Sequence, residues 1–296
     1  PFQKNSKKQA VVWDGKDDQG VYVDNKDAIV VRVSLGLKPQ FERTLFWSPY
    51  KRIGSAHSPI ICAGPEGVYV SEGKGIDSLR LYDHDGNYVR TVYPFPAAKL
   101  ASIPDLDWKE FPQDGQKLPV KAGGSTHATL LTSGASGADS KGSKGGAAAE
   151  AVAVNPSTGS GQVARIALVG LKLNRLAADG SSGGLNLNGP ETAIAIKTDQ
   201  GKPEQVLPRS AAFSPDGQWL YLTGYTYMGG RSSQDQRWIH GVLRMKFEGN
   251  DKPELFLGSL TPDETGQDDT HFNVPTSVAC DRQGRIYVGD YMNDRI

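Results

Sequence analysis

The stretch that decides the fold is HFNVPTSVACDRQGRIYVGDYMNDRI, residues 271–296. Its apolar and β-branched residues predict one strand over Pro275–Cys280 and a second over Arg285–Gly289, with a polar turn between them. Arg295 and Ile296 begin a third predicted strand, so we expect the sheet to continue beyond residue 296. The stretch therefore predicts part of an antiparallel sheet.

Two earlier stretches repeat this design. Ile60–Glu72 and Ala211–Gly224 each contain an apolar strand, a polar turn and a second strand with a Tyr near its centre. The sequence therefore predicts that Tyr69, Tyr221 and Tyr287 occupy equivalent positions.

Each of the two earlier units is followed by another predicted hairpin, over Leu79–Val92 and Val242–Gly258. Repeated antiparallel four-stranded sheets are typical of a β-propeller, in which each blade buries its faces against its neighbours. We therefore predict an all-β fold, with an incomplete propeller of about four blades over residues 56–296. The last of these blades is predicted to be incomplete.

The chain between the first two units departs from this period. Residues 133–161 are rich in Gly, Ala, Ser and Lys and too poor in apolar groups to pack, which predicts a flexible insertion. The apolar segments around this tract are predicted to form one irregular blade, and they are 126–132, 149–154, 164–173 and 191–197.

The N-terminal segment has a different pattern. Val11–Val23 places an apolar strand before an Asp- and Gly-rich turn, and two more strand candidates follow, which predicts a partial β-sandwich over residues 1–50. Asp14, Asp17 and Asp18 are either calcium ligands or the polar groups of a solvated turn. Their spacing does not match the D-x-D-x-D-G pattern of a calcium loop, which favours the turn.

This segment resembles a known module. Trp13-Asp14-Gly15, followed by Asp17-Asp18 and Gly20, is similar to the immunoglobulin-like domain of the flagellar hook-capping protein, and the resemblance covers about residues 8–48. It includes the C-terminal half of that domain. Because the module also occurs near the ends of many bacterial extracytoplasmic proteins, the resemblance implies an extracytoplasmic bacterial protein.

The last predicted unit resembles an NHL repeat. The resemblance implies a six-bladed type of propeller, a fold that serves as a scaffold, a ligand binder or an enzyme in different proteins. The matching residues are Val274-Pro275-Thr276, Val278-Ala279, Asp281, Gly284, Ile286-Tyr287-Val288, Asp290, Asn293 and Arg295-Ile296.

Two enzyme families with such propellers imply candidate metal ligands. A resemblance to peptidyl-hydroxyglycine lyase implies that His271 binds zinc and that Tyr291 lies near the site, but a catalytic zinc needs three protein ligands. A resemblance to gluconolactonase-like propellers implies a divalent ion bound by oxygen atoms of Asn273, Asp290 and Glu72. The alternative is that these Asp and Asn side chains cap turns by binding the backbone.

Composition narrows the possible partners. The chain has 33 Lys and Arg residues and 33 Asp and Glu residues, so it has no net positive field to attract nucleic acid. No window is apolar for long enough to predict a membrane span in this segment.

Cys62 and Cys280 lack metal-binding spacing and are predicted to be reduced packing residues. Solvated or core positions are predicted for the other histidines, His57, His84, His127 and His240.

Propeller geometry predicts where a ligand would bind. The connection that enters an innermost strand and the connection between the second and third strands open on one face, which we call the loop face. We predict a non-catalytic module that binds a protein or polysaccharide there, and the alternative is a metal-dependent hydrolase or lyase with calcium or zinc in the central channel. The residues predicted on the loop face are Glu72, Tyr225, Tyr227, Arg231, Arg237, His271, Asn273, Asp290, Tyr291 and Asn293.

Overall fold

A computed structural model describes most of the chain. The described residues are 59–72, 78–120, 149–167, 172–197, 203–227 and 239–296, together with 8, 10, 12–17, 20–25, 27, 29 and 40–42 near the N-terminus. The chain divides into two compact units, Pro1–Thr44 and Leu45–Ile296.

In the first unit, the described residues include an Asp-rich turn. Lys16 and Tyr22 form an antiparallel bridge across it, and the Lys16 ammonium lies 5.0 Å from the centre of the Tyr22 ring. The carboxylates of Asp14 and Asp17 accept hydrogen bonds from backbone N–H groups of the same turn. These hydrogen bonds are typical of a turn stabilised by Asp side chains. Asp18 lies outside the described residues.

The second unit begins with a four-stranded antiparallel sheet whose strands pair in chain order. A short 3-10 helix over Ala97–Ser102 and a two-stranded ribbon follow this sheet. The strands of the sheet are β1 (Ile60–Gly64), β2 (Gly67–Glu72), β3 (Ser78–Tyr82) and β4 (Tyr88–Tyr93), and those of the ribbon are β5 (Asp107–Glu110) and β6 (Lys117–Val120).

The second four-stranded sheet corrects the predicted insertion and the predicted irregular blade. Its strands are β7 (Ala149–Val154), β8 (Gln162–Ala167), β9 (Lys172–Ala177) and β10 (Asn188–Glu191). Segment 149–154, predicted both as a strand and as the end of the flexible tract, forms β7, so the strand prediction is confirmed and the tract was extended too far. Residues 155–161 form the turn after β7, and the described residues of segment 164–173 belong to β8 and β9. β7 packs because its small side chains are buried on both faces, with Ala151 and Ala153 in one core and Val152 in another. Residues 121–148 lie outside the described part.

The third four-stranded sheet is interrupted by a small sheet. The four strands pair in the order β13-β14-β16-β17, and β11, β12 and β15 form the small sheet, which contains most of the predicted segment 191–197. The strands in chain order are β11 (Ile194–Lys197), β12 (Pro203–Leu207), β13 (Ser210–Phe213), β14 (Trp219–Thr223), β15 (Thr226–Tyr227), β16 (His240–Lys246) and β17 (Glu254–Ser259).

The last sheet has two strands, β18 (Pro275–Cys280) and β19 (Ile286–Asp290), followed by a 3-10 turn over Tyr291–Asn293. The first strands of successive sheets lie side by side, because β1 contacts β7, β7 contacts β13 and β13 contacts β18. Each sheet therefore has its first strand innermost and its later strands further out, as propeller blades do. The prediction of an all-β, incomplete propeller-like fold with antiparallel four-stranded sheets is confirmed. We call the three four-stranded sheets and the sheet of β18 and β19 blades 1 to 4, in chain order.

Apolar cores fill the spaces between successive blades. Burying one large apolar side chain contributes roughly 1.5–3 kcal/mol, so these cores stabilise the stack of blades. Representative residues are Tyr69, Leu79, Val163 and Leu176 between blades 1 and 2, Ile166, Leu173, Leu220 and Phe247 between blades 2 and 3, and Val242, Val278 and Val288 between blades 3 and 4.

Both cysteines are free thiols. The Sγ of Cys62 donates a hydrogen bond to the carbonyl oxygen of Val152 at 2.9 Å, so this thiol connects β1 to β7. Burial raises the pKa of Cys62 to about 11, which keeps the thiol protonated at neutral pH.

Candidate functional site

Asp290 lies at the end of β19 and is 1% exposed. Its Oδ1 accepts a hydrogen bond from the backbone N–H of Asn273 at 2.6 Å. Its Oδ2 accepts hydrogen bonds from Nδ2 of Asn293 at 2.7 Å and from Nε of Arg295 at 2.8 Å. Both carboxylate oxygens therefore bind groups of the protein itself.

Arg295 and Asn293 extend this network to the loop before β18. The Arg295 guanidinium donates to the carbonyl oxygens of Gln267, Asp268 and His271 at 2.7–2.8 Å. The amide of Asn293 also donates to a carbonyl oxygen of that loop, at 2.7 Å. Asp290, Asn293 and Arg295 thus anchor a loop to a strand end, which favours the structural alternative for Asp290.

His271 is partly exposed, and its Nδ1 lies 2.8 Å from the carboxylate of Asp268. Hydrogen bonds from Thr270 and His271 lower the pKa of Asp268. Because Asp268 engages Nδ1, the Nε2 atom of His271 is the nitrogen left for another partner. In the described part of the chain, no three His, Cys, Asp or Glu side chains are grouped closely enough to hold a metal ion. The zinc and calcium sites stay predictions.

The other residues predicted on the loop face differ in exposure. Tyr291 is 65% exposed, and Asn273 is half-buried. Tyr225 is fully buried, and its hydroxyl donates to the carbonyl oxygen of Thr192 at 3.3 Å. This placement corrects the predicted surface position of Tyr225: Gly224, with φ of 70°, turns the chain so that the ring enters the core between blades 2 and 3. Outside the described part lie the side chains of Glu72, Tyr227, Arg231 and Arg237.

His240, at the start of β16, is a buried histidine with both ring nitrogens engaged. Its Nδ1 accepts a hydrogen bond from the backbone N–H of Val274 at 3.0 Å, and its Nε2 donates to the carbonyl oxygen of Pro262 at 2.7 Å. These partners fix the neutral tautomer with the proton on Nε2. Burial lowers the pKa of His240 below its ordinary value. The prediction that this histidine is satisfied within the core agrees with these contacts.

We expect His240 to make the fold sensitive to acid. Its pKa is lower in the folded chain than the ordinary 6.5, so the unfolded chain binds more protons between these two values. The contribution of His240 to the free energy of unfolding is therefore fully present above pH 6.5. It falls as the pH decreases, by up to about 1.4 kcal/mol per pH unit. Urea unfolding between about pH 7.5 and pH 5 measures this slope.

The matched variants are His240→Gln and His84→Gln, since His84 is exposed. His240→Gln should remove most of the slope of the unfolding free energy against pH. His84→Gln should keep the wild-type slope. A wild-type slope in His240→Gln would contradict the assignment.

The hairpin turns between the first and second strands lie at the end of the blades opposite to the loop face. We call this end the turn face. It contains a cavity of about 770 Å³, here named the axial cavity, to which all four blades contribute. Its lining residues are Ala63, Gly64, Pro65, His84, Pro156, Thr158, Pro215, Cys280, Asp281 and Arg282.

A second cavity of about 390 Å³, here named the side cavity, lies between the turns of blades 2 and 3. The two cavities share these turns, because Pro156 and Pro215 line the axial cavity and their neighbours Asn155 and Asp216 line the side cavity. The lining residues of the side cavity are Asn155, Ser157, Ser160, Gln162, Asp216, Gly217, Gln218, Lys246, Glu248 and Gly249.

A chain of hydrogen bonds orders the wall of the side cavity. Nδ2 of Asn155 donates to Oε1 of Gln162 at 2.7 Å, and Nε2 of Gln162 donates to Oε1 of Glu248 at 2.8 Å. Asn155 is 3% exposed and packs against Gly217, where a Cβ atom would lie 2.1 Å from its amide nitrogen. Gly217 also has φ of 71°, so this position requires glycine for two reasons.

No family model and no curated protein matches the chain. Among solved structures, a Trichoderma reesei carbohydrate-active enzyme of family AA12 matches with 13% identity and a TM-score of 0.30, over 81% of this chain and 79% of that chain. A candidate 6-phosphogluconolactonase from Bacteroides uniformis matches with 13% identity and a TM-score of 0.29, over 76% and 61%.

An auxiliary nutrient binding protein from Bacteroides thetaiotaomicron also matches, with 14% identity and a TM-score of 0.21, over 83% of this chain and 68% of that chain. Similarities this weak carry no argument about function. The propeller-like fold of the chain rests on its own strand order and strand contacts.

Within the described part of the chain, no helix has the length and apolar character that crossing a bilayer requires. No site on the turn face was predicted from the sequence. One sequence signal could have indicated it, because a proline occurs in the inner turn of each of the first three blades, as Pro65, Pro156 and Pro215.

Proposed function

We propose that this chain is a non-catalytic binding module, with NHL-like blades, of a larger extracytoplasmic bacterial protein, and that it binds a polymer ligand at the turn face. The observation that carries the proposal is the axial cavity, since its wall is formed by inner turns of all four blades. Its volume of about 770 Å³ lies within the range of small-molecule sites, roughly 300–1,000 Å³. The resemblance of the N-terminal segment to an extracytoplasmic module supports the location.

The chemistry of the axial cavity favours binding. The three proline rings provide an apolar wall, and Asp281 is the acidic side chain in it. The Asp281 carboxylate accepts hydrogen bonds from the Arg285 side chain and the Tyr287 hydroxyl. Although burial opposes the change, these hydrogen bonds lower the pKa of Asp281, so this carboxylate is a poor general base near neutral pH. An apolar wall with a few fixed polar groups is typical of a binding site.

Filling part of the axial cavity should weaken binding. Ala63 is exposed and lines the cavity, so Ala63→Trp fills part of it without disturbing a core. A glycan array and a phage-displayed peptide library identify a binder of the wild-type protein, and calorimetry then measures its affinity. We expect Ala63→Trp to weaken that affinity at least about tenfold, which corresponds to about 1.4 kcal/mol.

The matched control is Tyr291→Ala, which changes an exposed side chain on the loop face. This variant should bind as the wild type does, and both variants should keep the wild-type thermal midpoint. The proposal is wrong if neither library yields a binder, or if Tyr291→Ala loses binding and Ala63→Trp keeps it.

A further inference from the structure

We infer that the side cavity binds one sugar residue, so that the polymer bound at the turn face is a saccharide. The inference rests on the proposed binding function and adds the chemical class of the ligand. The side cavity has a volume of about 390 Å³, near the lower end of the range for small-molecule sites, roughly 300–1,000 Å³. It therefore suits a single compact unit of a polymer.

The wall of the side cavity combines donors and acceptors in the way that a polyol requires. The Gln218 side-chain amide contains both a donor and an acceptor, and the amides of Asn155 and Gln162, which bind each other, order the wall beside it. The hydroxyl of Ser160 is buried, and among the described residues it has no hydrogen-bond partner. A sugar hydroxyl, which also donates and accepts, can bind to such a group and satisfy it.

Glu248 provides the strongest acceptor in the side cavity. Its Oε1 binds the Gln162 amide, and no described residue donates a hydrogen bond to its Oε2. A carboxylate oxygen fixed in this way can accept a charge-assisted hydrogen bond from a hydroxyl group. Because the Gln162 and Asn155 amides hold Glu248 in place, the acceptor is oriented before a ligand binds.

The charges of the side cavity favour a neutral ligand. Asp216 and Glu248 lie in the wall with Lys246, and the Arg175 guanidinium, which donates to the carbonyl oxygen of Gly249, lies near Glu248, so acidic and basic groups balance there. A balanced wall does not attract a strongly charged ligand, and neutral hexoses and N-acetylhexosamines suit it. Since the side cavity shares the turns of blades 2 and 3 with the axial cavity, a saccharide chain can extend from one cavity into the other.

The test is calorimetry with defined neutral sugars. The probes are D-glucose, D-galactose, D-mannose and N-acetyl-D-glucosamine, each as the free sugar and as a linear tetrasaccharide. At least one tetrasaccharide should bind saturably to the wild-type protein. Glu248→Gln should weaken that binding about tenfold or more, because it replaces a charge-assisted hydrogen bond with a neutral one. The introduced amide oxygen can still accept the hydrogen bond from Gln162.

The matched control is Glu254→Gln, which removes an exposed carboxylate on β17 outside both cavities. It should leave the affinity unchanged, and thermal midpoints confirm that both variants are folded.

Two outcomes overturn the inference. In the first, none of the sugars saturates the protein. In the second, a sugar binds and Glu248→Gln binds it as the wild type does. The proposed function is tested separately. It stands if Ala63→Trp weakens the binding of a peptide, even where no sugar binds, and it fails if Ala63→Trp weakens the binding of no ligand. A peptide that binds where no sugar does would show that the ligand is a protein.

Discussion

Replacing Asp290 by Ala is expected to lower the free energy of unfolding of the propeller-like unit by about 3–5 kcal/mol. The substitution removes the buried carboxylate that accepts hydrogen bonds from Asn293, Arg295 and the backbone of Asn273. The Arg295 guanidinium, which is about one-third exposed, then loses its ion-pair partner. Urea unfolding followed by tryptophan fluorescence measures the change.

Asp269→Ala is the matched control for this experiment, because Asp269 is an exposed carboxylate on the same loop. It should change the free energy of unfolding by less than about 0.5 kcal/mol. Asp290→Asn should fall between the two, since its amide oxygen keeps one acceptor. Equal stabilities of Asp290→Ala and Asp269→Ala would show that the network around Asp290 does not hold the blade together.

Replacing Tyr225 by Ala is expected to cost about 3–5 kcal/mol of folding stability. The ring is fully buried in the core that also contains Ile166 and Leu220 from blades 2 and 3. Its removal would leave a cavity that rigid blades cannot close completely. The same urea titration measures the loss.

Tyr225→Phe separates the ring from the hydroxyl. It keeps the packing and removes the single hydrogen bond to the carbonyl oxygen of Thr192, so it should cost about 1 kcal/mol. Affinity for the ligand should be unchanged in this variant. A Tyr225→Ala protein as stable as the wild type would contradict the role of the ring in the core, and a Tyr225→Phe protein that folds but does not bind would place the hydroxyl at a ligand site.

The sequence predicts the blades wherever apolar and polar residues alternate clearly along a strand or the turns between strands are short. The hairpin of β18 and β19 is visible because Val278 and Val288 alternate with exposed residues across a polar turn. β7 is visible as the apolar segment 149–154 but not as separate from the flexible tract, because its Ala and Val side chains are buried on both faces and show no alternation. It also follows a Gly- and Ser-rich tract, and the predicted insertion therefore extended too far.

The candidate site was harder to predict for a physical reason. Asp290 and Asn293 attract attention in the sequence because polar residues at strand ends are common ligands. In the structure these side chains satisfy backbone groups of the chain itself. The side cavity depends on a chain of contacts from Asn155 through Gln162 to Glu248, which joins two blades. Such a contact between distant residues has no local signature in the sequence.

The network around Asp290 also bears on how such a protein could evolve. Asp290, Asn293 and Arg295 are committed to internal hydrogen bonds, so substitutions there would be removed by selection for folding. Turn residues such as Thr158 are exposed and contribute little to the cores. Mutation could therefore alter ligand specificity at the turn face while the blades stay folded, and paralogues with one scaffold could recognise different ligands.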